Sequence, residues 1–197
     1  MGQDQGKKAL AGALIGLLFV APALGQLNPF SAISRAVSTT MDVRSKAEVT
    51  ADTAIGAGAS KRLLDDRKSE WTGVTVMVFA QHVVLAGAVK SADVKKRVEE
   101  VVRSDKRIRS FRNELLVGDV GSLVRDSALE GEINADLTAA KGISSVNMRW
   151  CATGGHVVLM GVAQSQQEAD LALRKIRAIK GVKSVKAHLR IVPAKKK

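Results

Sequence analysis

From about residue 50 onward the chain repeats itself. Displaced by 74 residues, the sequence falls on itself without a gap over roughly 52–117 and 126–191. His82-Val83-Val84-Leu85-Ala86-Gly87 lands on His156-Val157-Val158-Leu159-Met160-Gly161. Asp52 lands on Asp126, Leu63 on Leu137, Ser91 on Ser165, Arg103 on Arg177, Lys106 on Lys180, Ser110 on Ser184 and Leu115 on Leu189. Two copies are too few for a solenoid, so the repeat predicts tandem globular domains.

Each copy carries the same order of elements. A first helix follows the aspartate, Asp52 or Asp126, taken as its N-cap. Ile55, Ala59 and Leu63, or Leu129, Ile133 and Leu137, share one face of it because they stand four apart. An alternating strand comes next, Val74, Val76 and Val78 in copy one and Val146, Met148 and Trp150 in copy two. A turn at Gln81-His82 or Gly154-Gly155 leads to a second strand, 83–86 or 157–160, closed by Gly87 or Gly161. These glycines permit close helix–sheet packing or a bulge. Ser91 or Ser165 caps a second helix, with Ser165-Gln166-Gln167-Glu168 as a capping box. Val94, Val98, Val101 and Val102 form its apolar stripe in copy one, and Ala169, Ala172, Ile176 and Ile179 in copy two. The last strand alternates through Phe111, Asn113, Leu115 and Val117, or Val185, Ala187, Leu189 and Ile191.

The expected architecture is therefore α+β. It has two tandem αββαβ domains, each a three-stranded mixed sheet with both helices on one face. The expected segments are 1–25 as a signal peptide and 26–49 as a linker or extra helix. The domains run over 50–117 and 125–192, with a linker at 118–124 and a basic tail at 193–197. Aromatics make up 3% of the chain and Tyr is absent, so the cores must be aliphatic. Small domains of this kind bury a modest area.

The N-terminal segment reads as an address. Lys7 and Lys8 precede a run of thirteen residues without a charge, Ala9 to Ala21. The run suits a secretory h-region and is short for a membrane span. Ala21-Pro22-Ala23 and Ala23-Leu24-Gly25 both offer small residues for cleavage, with the chain then starting at Leu24 or Gln26. Neither site places a cysteine at the new end, so a released periplasmic protein is expected and not a lipoprotein. An uncleaved anchor is the alternative. Export removes nucleic acid from the expected partners.

The hairpin strand running into glycine, Val83-Val84-Leu85-Ala86-Gly87 and Val157-Val158-Leu159-Met160-Gly161, resembles the BON domain family of bacterial osmotic-stress, nodulation and envelope proteins. So does the ending Gly181-Val182-Lys183-Ser184-Val185-Lys186-Ala187-His188-Leu189. In copy one Arg107 stands where Gly181 stands, so the turn into its last strand should differ. The resemblance covers about two-thirds of the chain. It implies phospholipid interaction and a role in envelope integrity.

Catalytic and metal-binding patterns are not evident. His82 and His156 fall in equivalent hairpin turns, and His188 on the outward face of the last strand. No histidine spacing suits a metal. Cys151, the single cysteine, reads as a small buried residue. Cys151 with His188 would be a nucleophile pair only if the first and last strands were neighbours, and no third orienting group is visible. Gly154-Gly155 is not followed by the helix an anion loop requires. No catalytic residue, metal or cofactor is assigned.

Charge is the remaining signal. The formal net charge is +12, and after Asp170 the chain holds ten basic residues and no acidic one. Arg174, Lys175, Arg177, Lys180, Lys183, Lys186 and Arg190 are the candidate lipid-binding residues. In copy one Glu99 and Glu100 interrupt Lys95, Lys96, Arg97 and Arg103. Each cation near an anionic membrane contributes up to about 1 kcal/mol. The expected function is a non-enzymatic periplasmic protein in peripheral contact with anionic lipid, supporting membrane integrity under osmotic or envelope stress. The alternative is an adaptor for an envelope protein, without lipid contact.

One surface needs cover. Copy one presents Thr75, Met77, Phe79, Val84, Ala86 and Leu116 on its outward sheet face, and copy two presents Arg149, Lys186, His188 and Arg190. The stripe Phe30, Ile33, Val37 and Met41, a second subunit or the other domain are the candidates for covering it.

Overall fold

The computed structural model describes residues 42–66, 71–118 and 123–193. The signal segment, the stripe Phe30–Met41 and Lys195–Lys197 lie outside the described residues.

Two αββαβ units follow one another. The first comprises α1 (Lys46–Asp65), β1 (Val74–Phe79), β2 (His82–Val89), α2 (Ala92–Arg103), β3 (Ser110–Asn113) and β4 (Leu116–Val117). The second comprises α3 (Leu123–Ala139), a 3-10 turn (Ser145–Asn147), β5 (Met148–Thr153), β6 (His156–Ala163), α4 (Gln166–Ala178) and β7 (Ser184–Ile191). In each unit the middle strand pairs antiparallel with its hairpin partner and parallel with the last strand. The registers correspond: His82 faces Ser110 as His156 faces Ser184. The sheets are therefore three-stranded and mixed, with β3 and β4 as one strand broken at Glu114–Leu115.

The helical stripes are the cores. Ile55, Ala59 and Leu63 meet Val76, Leu85, Val98 and Val102 on one side of the first sheet. Leu129, Ile133 and Leu137 meet Trp150, Leu159, Ala172 and Ile176 on the matching side of the second. The residues are almost all aliphatic, as a chain poor in aromatics requires.

Several local expectations are corrected. Asp52 and Asp126 are not N-caps, since α1 begins at Lys46 and α3 at Leu123. The cap of α1 is Ser45, in a capping box with Glu48, inside the stretch set aside as linker. Ser165 caps α4 by accepting from the Glu168 amide, but the Glu168 carboxylate does not return the bond. It accepts instead from Ser144 N and Gln164 N, at 2.6 and 2.7 Å, tying α4 to two loops. Val146 lies in the 3-10 turn, ahead of β5. His82 and His156 start β2 and β6 and are not turn residues; each ring bonds the serine opposite, Ser110 or Ser184.

Gly87 and Gly161 do not end their strands, which continue to Val89 and Ala163. Their φ angles are +108° and +131°, and a Cβ would sit 1.9 Å from the Gly73 carbonyl oxygen or 2.1 Å from that of Asn147. Close backbone approach is what demands glycine there. The turn before β3 differs from its counterpart, as expected. Gly181 takes φ +98°, whereas at the equivalent place Asp105 holds the turn by accepting from Arg107 N and Nε, at 3.1 and 2.9 Å.

The two sheets pack face to face. Met77, Phe79, Ala80, Val84 and Ala86 of the first meet Cys151, Val158, Met160 and Val162 of the second in a third buried cluster. The molecule is thus four-layered, helices outside and the two sheets within. The other domain covers the outward apolar face.

Candidate functional site

The hairpin of the first domain shows how side chains set the site. Ala80 and Gln81 have φ of +49° and +64°, a conformation that costs a residue with a Cβ about 1–2 kcal/mol. The buried Asp52 carboxylate holds them there, accepting from Ala80 N at 2.7 Å and Gln81 N at 2.6 Å. In the second domain Gly154 and Gly155 occupy the equivalent positions with positive φ, and glycine needs no such support. Asp52 also pairs with Arg44 at 3.0 Å, and Arg44 with Asp42 at 2.6 Å, all nearly inaccessible. The Arg44 and Arg149 guanidinium groups lie 4.4 and 5.3 Å from the Phe79 ring centroid. The short segment before α1 is thereby locked over the domain junction, and Val43 N donates to Asn147 Oδ1 at 3.0 Å.

The residues assigned to an outward face in copy two are interface residues. Arg149 is 2% exposed and donates to Val146 O and Met148 O. Lys186 Nζ and His188 Nε2 reach the two oxygens of Glu114 in the first domain, at 2.7 and 3.0 Å. Burial alone would raise the Glu114 carboxyl, but the bonds and charges of Lys186 and His188 outweigh it and hold it below its usual range.

The seven candidate lipid residues therefore separate. Arg174, Lys175, Arg177, Lys180 and Lys183 are exposed on α4 and the turn after it. Among the described residues none of the five is in an ion pair. Lys175 and Arg177 lie in the last turn of α4, where cations favour the helix dipole. Lys186 and Arg190 project from the opposite face of the second sheet, toward the first domain. The sheet itself separates the two groups.

Chemistry at Cys151 is disfavoured. The thiol is buried between the domains, and burial pushes it up to about 12. β6 lies between β5 and β7, so Cys151 and His188 are not on neighbouring strands. Among the described residues no group of acidic, histidine or cysteine side chains is placed to hold a metal. Nor is any described helix long and apolar enough to cross a membrane.

A helix-backed hairpin extended by a parallel third strand, made twice and joined by a short linker, defines a tandem BON domain protein. The BON domain family model matches residues 51–119 and 125–193, and the chain belongs to that family. It is 31% identical over 144 residues to the Osmotically-inducible protein Y of Escherichia coli (strain K12), covering 71% of this chain and 72% of that protein. It is 33% identical over 129 residues to an uncharacterized protein in the gshII 5' region of Anaplasma centrale, covering 64% of this chain and 85% of the relative. Among solved structures it is similar to CdsD, a structural protein of the type III secretion system of Chlamydia trachomatis. There the identity is 15% and the TM-score 0.32, over 73% of this chain and 65% of that one.

Proposed function

We propose that this chain is a non-enzymatic periplasmic protein that associates with anionic phospholipid surfaces and supports membrane integrity under osmotic stress. The observation that carries the reading is the outer surface of the second domain. Arg174, Lys175, Arg177, Lys180 and Lys183 are exposed there without an acidic partner among the described residues. Such a cluster of unpaired cations on α4 and the turn after it attracts an anionic surface without insertion. The similarity to the Osmotically-inducible protein Y of Escherichia coli supports the link with osmotic stress. The basic-then-apolar segment Lys7–Ala21 supports export.

Vesicle flotation tests the contact. The full chain should float with vesicles containing phosphatidylglycerol and not with phosphatidylcholine alone. The triple change Arg174→Gln, Lys175→Gln and Arg177→Gln should abolish flotation, since glutamine leaves helix propensity nearly unchanged. Added salt should weaken binding, because exposed charges are screened within about 8 Å at physiological ionic strength. Unchanged flotation of the triple variant overturns the reading and favours a protein partner. Intact-mass measurement on the protein from its own cell should show loss of roughly the first 23–25 residues.

A further inference from the structure

The two domains treat the free edge of their last strand differently. In the first domain that strand is broken, and side chains close it. Asn113 Oδ1 accepts from Leu115 N at 3.2 Å, and Lys95 Nζ donates to Leu115 O at 2.6 Å. Asn113 is itself held by Glu99, Nδ2 to Oε2 at 2.9 Å. The Leu115 backbone groups, which point away from β2, are thereby satisfied. The hairpin edge of the second domain is also held, since Ala152 N of β5 donates to Glu130 Oε1 at 2.9 Å.

β7 has no such closure among the described residues. It runs unbroken over Ser184–Ile191 and is the outer strand of its sheet. Val192 N donates to Ala163 O. Strand alternation then turns the backbone groups of Lys186, His188 and Arg190 toward β6, and those of Ala187, Leu189 and Ile191 outward. The repeat places Ala187 on Asn113, Leu173 on Glu99 and Ala169 on Lys95. Two alanines and a leucine have no side-chain donor or acceptor with which to close the edge. Ala187 lies beside the core residue Leu159 and is nonetheless exposed. Ile191 is 43% exposed. An open edge of this kind is a template for another strand.

Charge selects the occupant. No acidic residue follows Asp170. Lys180 and Lys183 lie in the turn before β7. Arg177 stands at the place of Arg103, whose guanidinium lies 5.8 Å from the ring of Phe111 on the first domain's edge strand. All three are exposed, with no ion pair among the described residues. Lys186, His188 and Arg190 line the other face of β7. A second copy would set these cations beside their own counterparts, and like charges across a strand pair are unfavourable. On the helix side the half-buried Leu173 and Leu189 offer apolar contact.

We propose that the free edge of β7 takes up an extended, acidic segment of a partner protein as a fourth strand of the second sheet. Its backbone pairs with Ala187, Leu189 and Ile191. Its apolar side chains lie toward Leu173, and its carboxylates are drawn by the flanking cations. The site is a strand edge, independent of the membrane contact proposed for α4.

Amide exchange read by NMR on the full chain tests this, with the capped peptide Glu-Val-Glu-Val-Glu-Val-Glu added at neutral pH. Binding should saturate at one peptide per chain and slow exchange at Ala187, Leu189 and Ile191 by about tenfold or more. The peptide with lysine in place of glutamate should not bind. Ala187→Pro removes one outward N–H at an edge position, where proline is tolerated, and should weaken the acidic peptide by about tenfold. Ala187→Asn with Leu173→Gln copies the first domain's closure without adding charge and should weaken it likewise; this pair decides the matter if the proline change unfolds the domain. Both variants should still float with phosphatidylglycerol vesicles, so this site and the membrane contact fail separately. Absence of saturable binding, equal binding of the lysine peptide, or binding without slowed exchange at the three amides would overturn the proposal. Native affinity in the paired variant would overturn it also. So would slowing of the same amides by raised protein concentration alone, which would seat a second copy on the edge.

Discussion

Glu114 and His188 meet across the domain interface at 3.0 Å, Oε1 to Nε2, and they stand 74 positions apart, the period of the repeat. Equivalent positions of the two copies thus touch one another. The buried cluster between the sheets is likewise built from equivalent positions: Met77 and Cys151, Val84 and Val158, and Ala86 and Met160 are all repeat equivalents. Self-contact of this kind is what a two-fold relation between identical surfaces produces. The interface between the domains is approximately that of a dimer joined into one chain.

The Glu114 contact should make domain docking acid-sensitive. A carboxyl held below its ordinary value of 4.5 contributes stability that is complete above that value and lost as pH falls through the lower folded one. Glu114→Gln should destabilise the pair by about 0.5–1 kcal/mol, since Lys186 is largely exposed. Urea midpoints of the native and variant proteins should differ near neutral pH and converge well below pH 4.5. A gap that persisted in acid would assign the loss to shape and not charge.

Asp52→Ala should be among the most damaging polar substitutions in the first domain. It removes the acceptor for two amides and leaves Arg44, whose side chain is 3% exposed, with one partner fewer. A loss of about 2–4 kcal/mol is expected. Adding Ala80→Gly and Gln81→Gly copies the second domain's turn and should restore part of it, as read by chemical denaturation. No recovery at all would place the cost in the arginine pair alone.

Gly87→Ala and Gly161→Ala should each cost about 2–3 kcal/mol, because a backbone carbonyl stands where the methyl would go. Thermal melts measure this. Gly131→Ala is the control: its Cβ would meet nothing within 4 Å, and in the middle of α3 alanine should raise stability by about 0.5–1 kcal/mol.

Cys151 reports on separation of the domains. Its thiol lies under the first sheet, and burial pushes it up to about 12, so little thiolate exists in the closed form. Reaction with Ellman's reagent should be slow in the native protein and faster by an order of magnitude or more in Phe79→Ala, which opens the third cluster while leaving both helical cores intact. Equal rates would mean that Cys151 reacts without the sheets parting.

The residues whose partners lie close in sequence were the readable ones. The stripes Ile55–Leu63 and Leu129–Leu137, the strand Val74–Phe79 and the caps Ser91 and Ser165 are patterns of period or position. Asp52 misled because an aspartate before an apolar stripe looks like a cap; its amide partners are 28 and 29 residues away. The repeat places Ala80-Gln81 on Gly154-Gly155, and the missing glycines are the signal in the sequence that this turn needs a support. Lys186 and Arg190 joined the basic cluster by proximity in the chain, although strand alternation sends them through the sheet to the other side.

The sequence by itself determined the repeat, the αββαβ order and the two aliphatic cores, because hydrophobic periodicity and capping act over a few residues. It also showed that one sheet face was too apolar to remain bare. Only the tertiary structure decided what covers that face, since sheet-on-sheet packing depends on the shape and charge of surfaces far apart in the chain. That choice turned Arg149 into a buried residue stacked on Phe79, and it paired Lys186 and His188 with Glu114. It also left Arg174, Lys175 and Arg177 facing water on the outer layer.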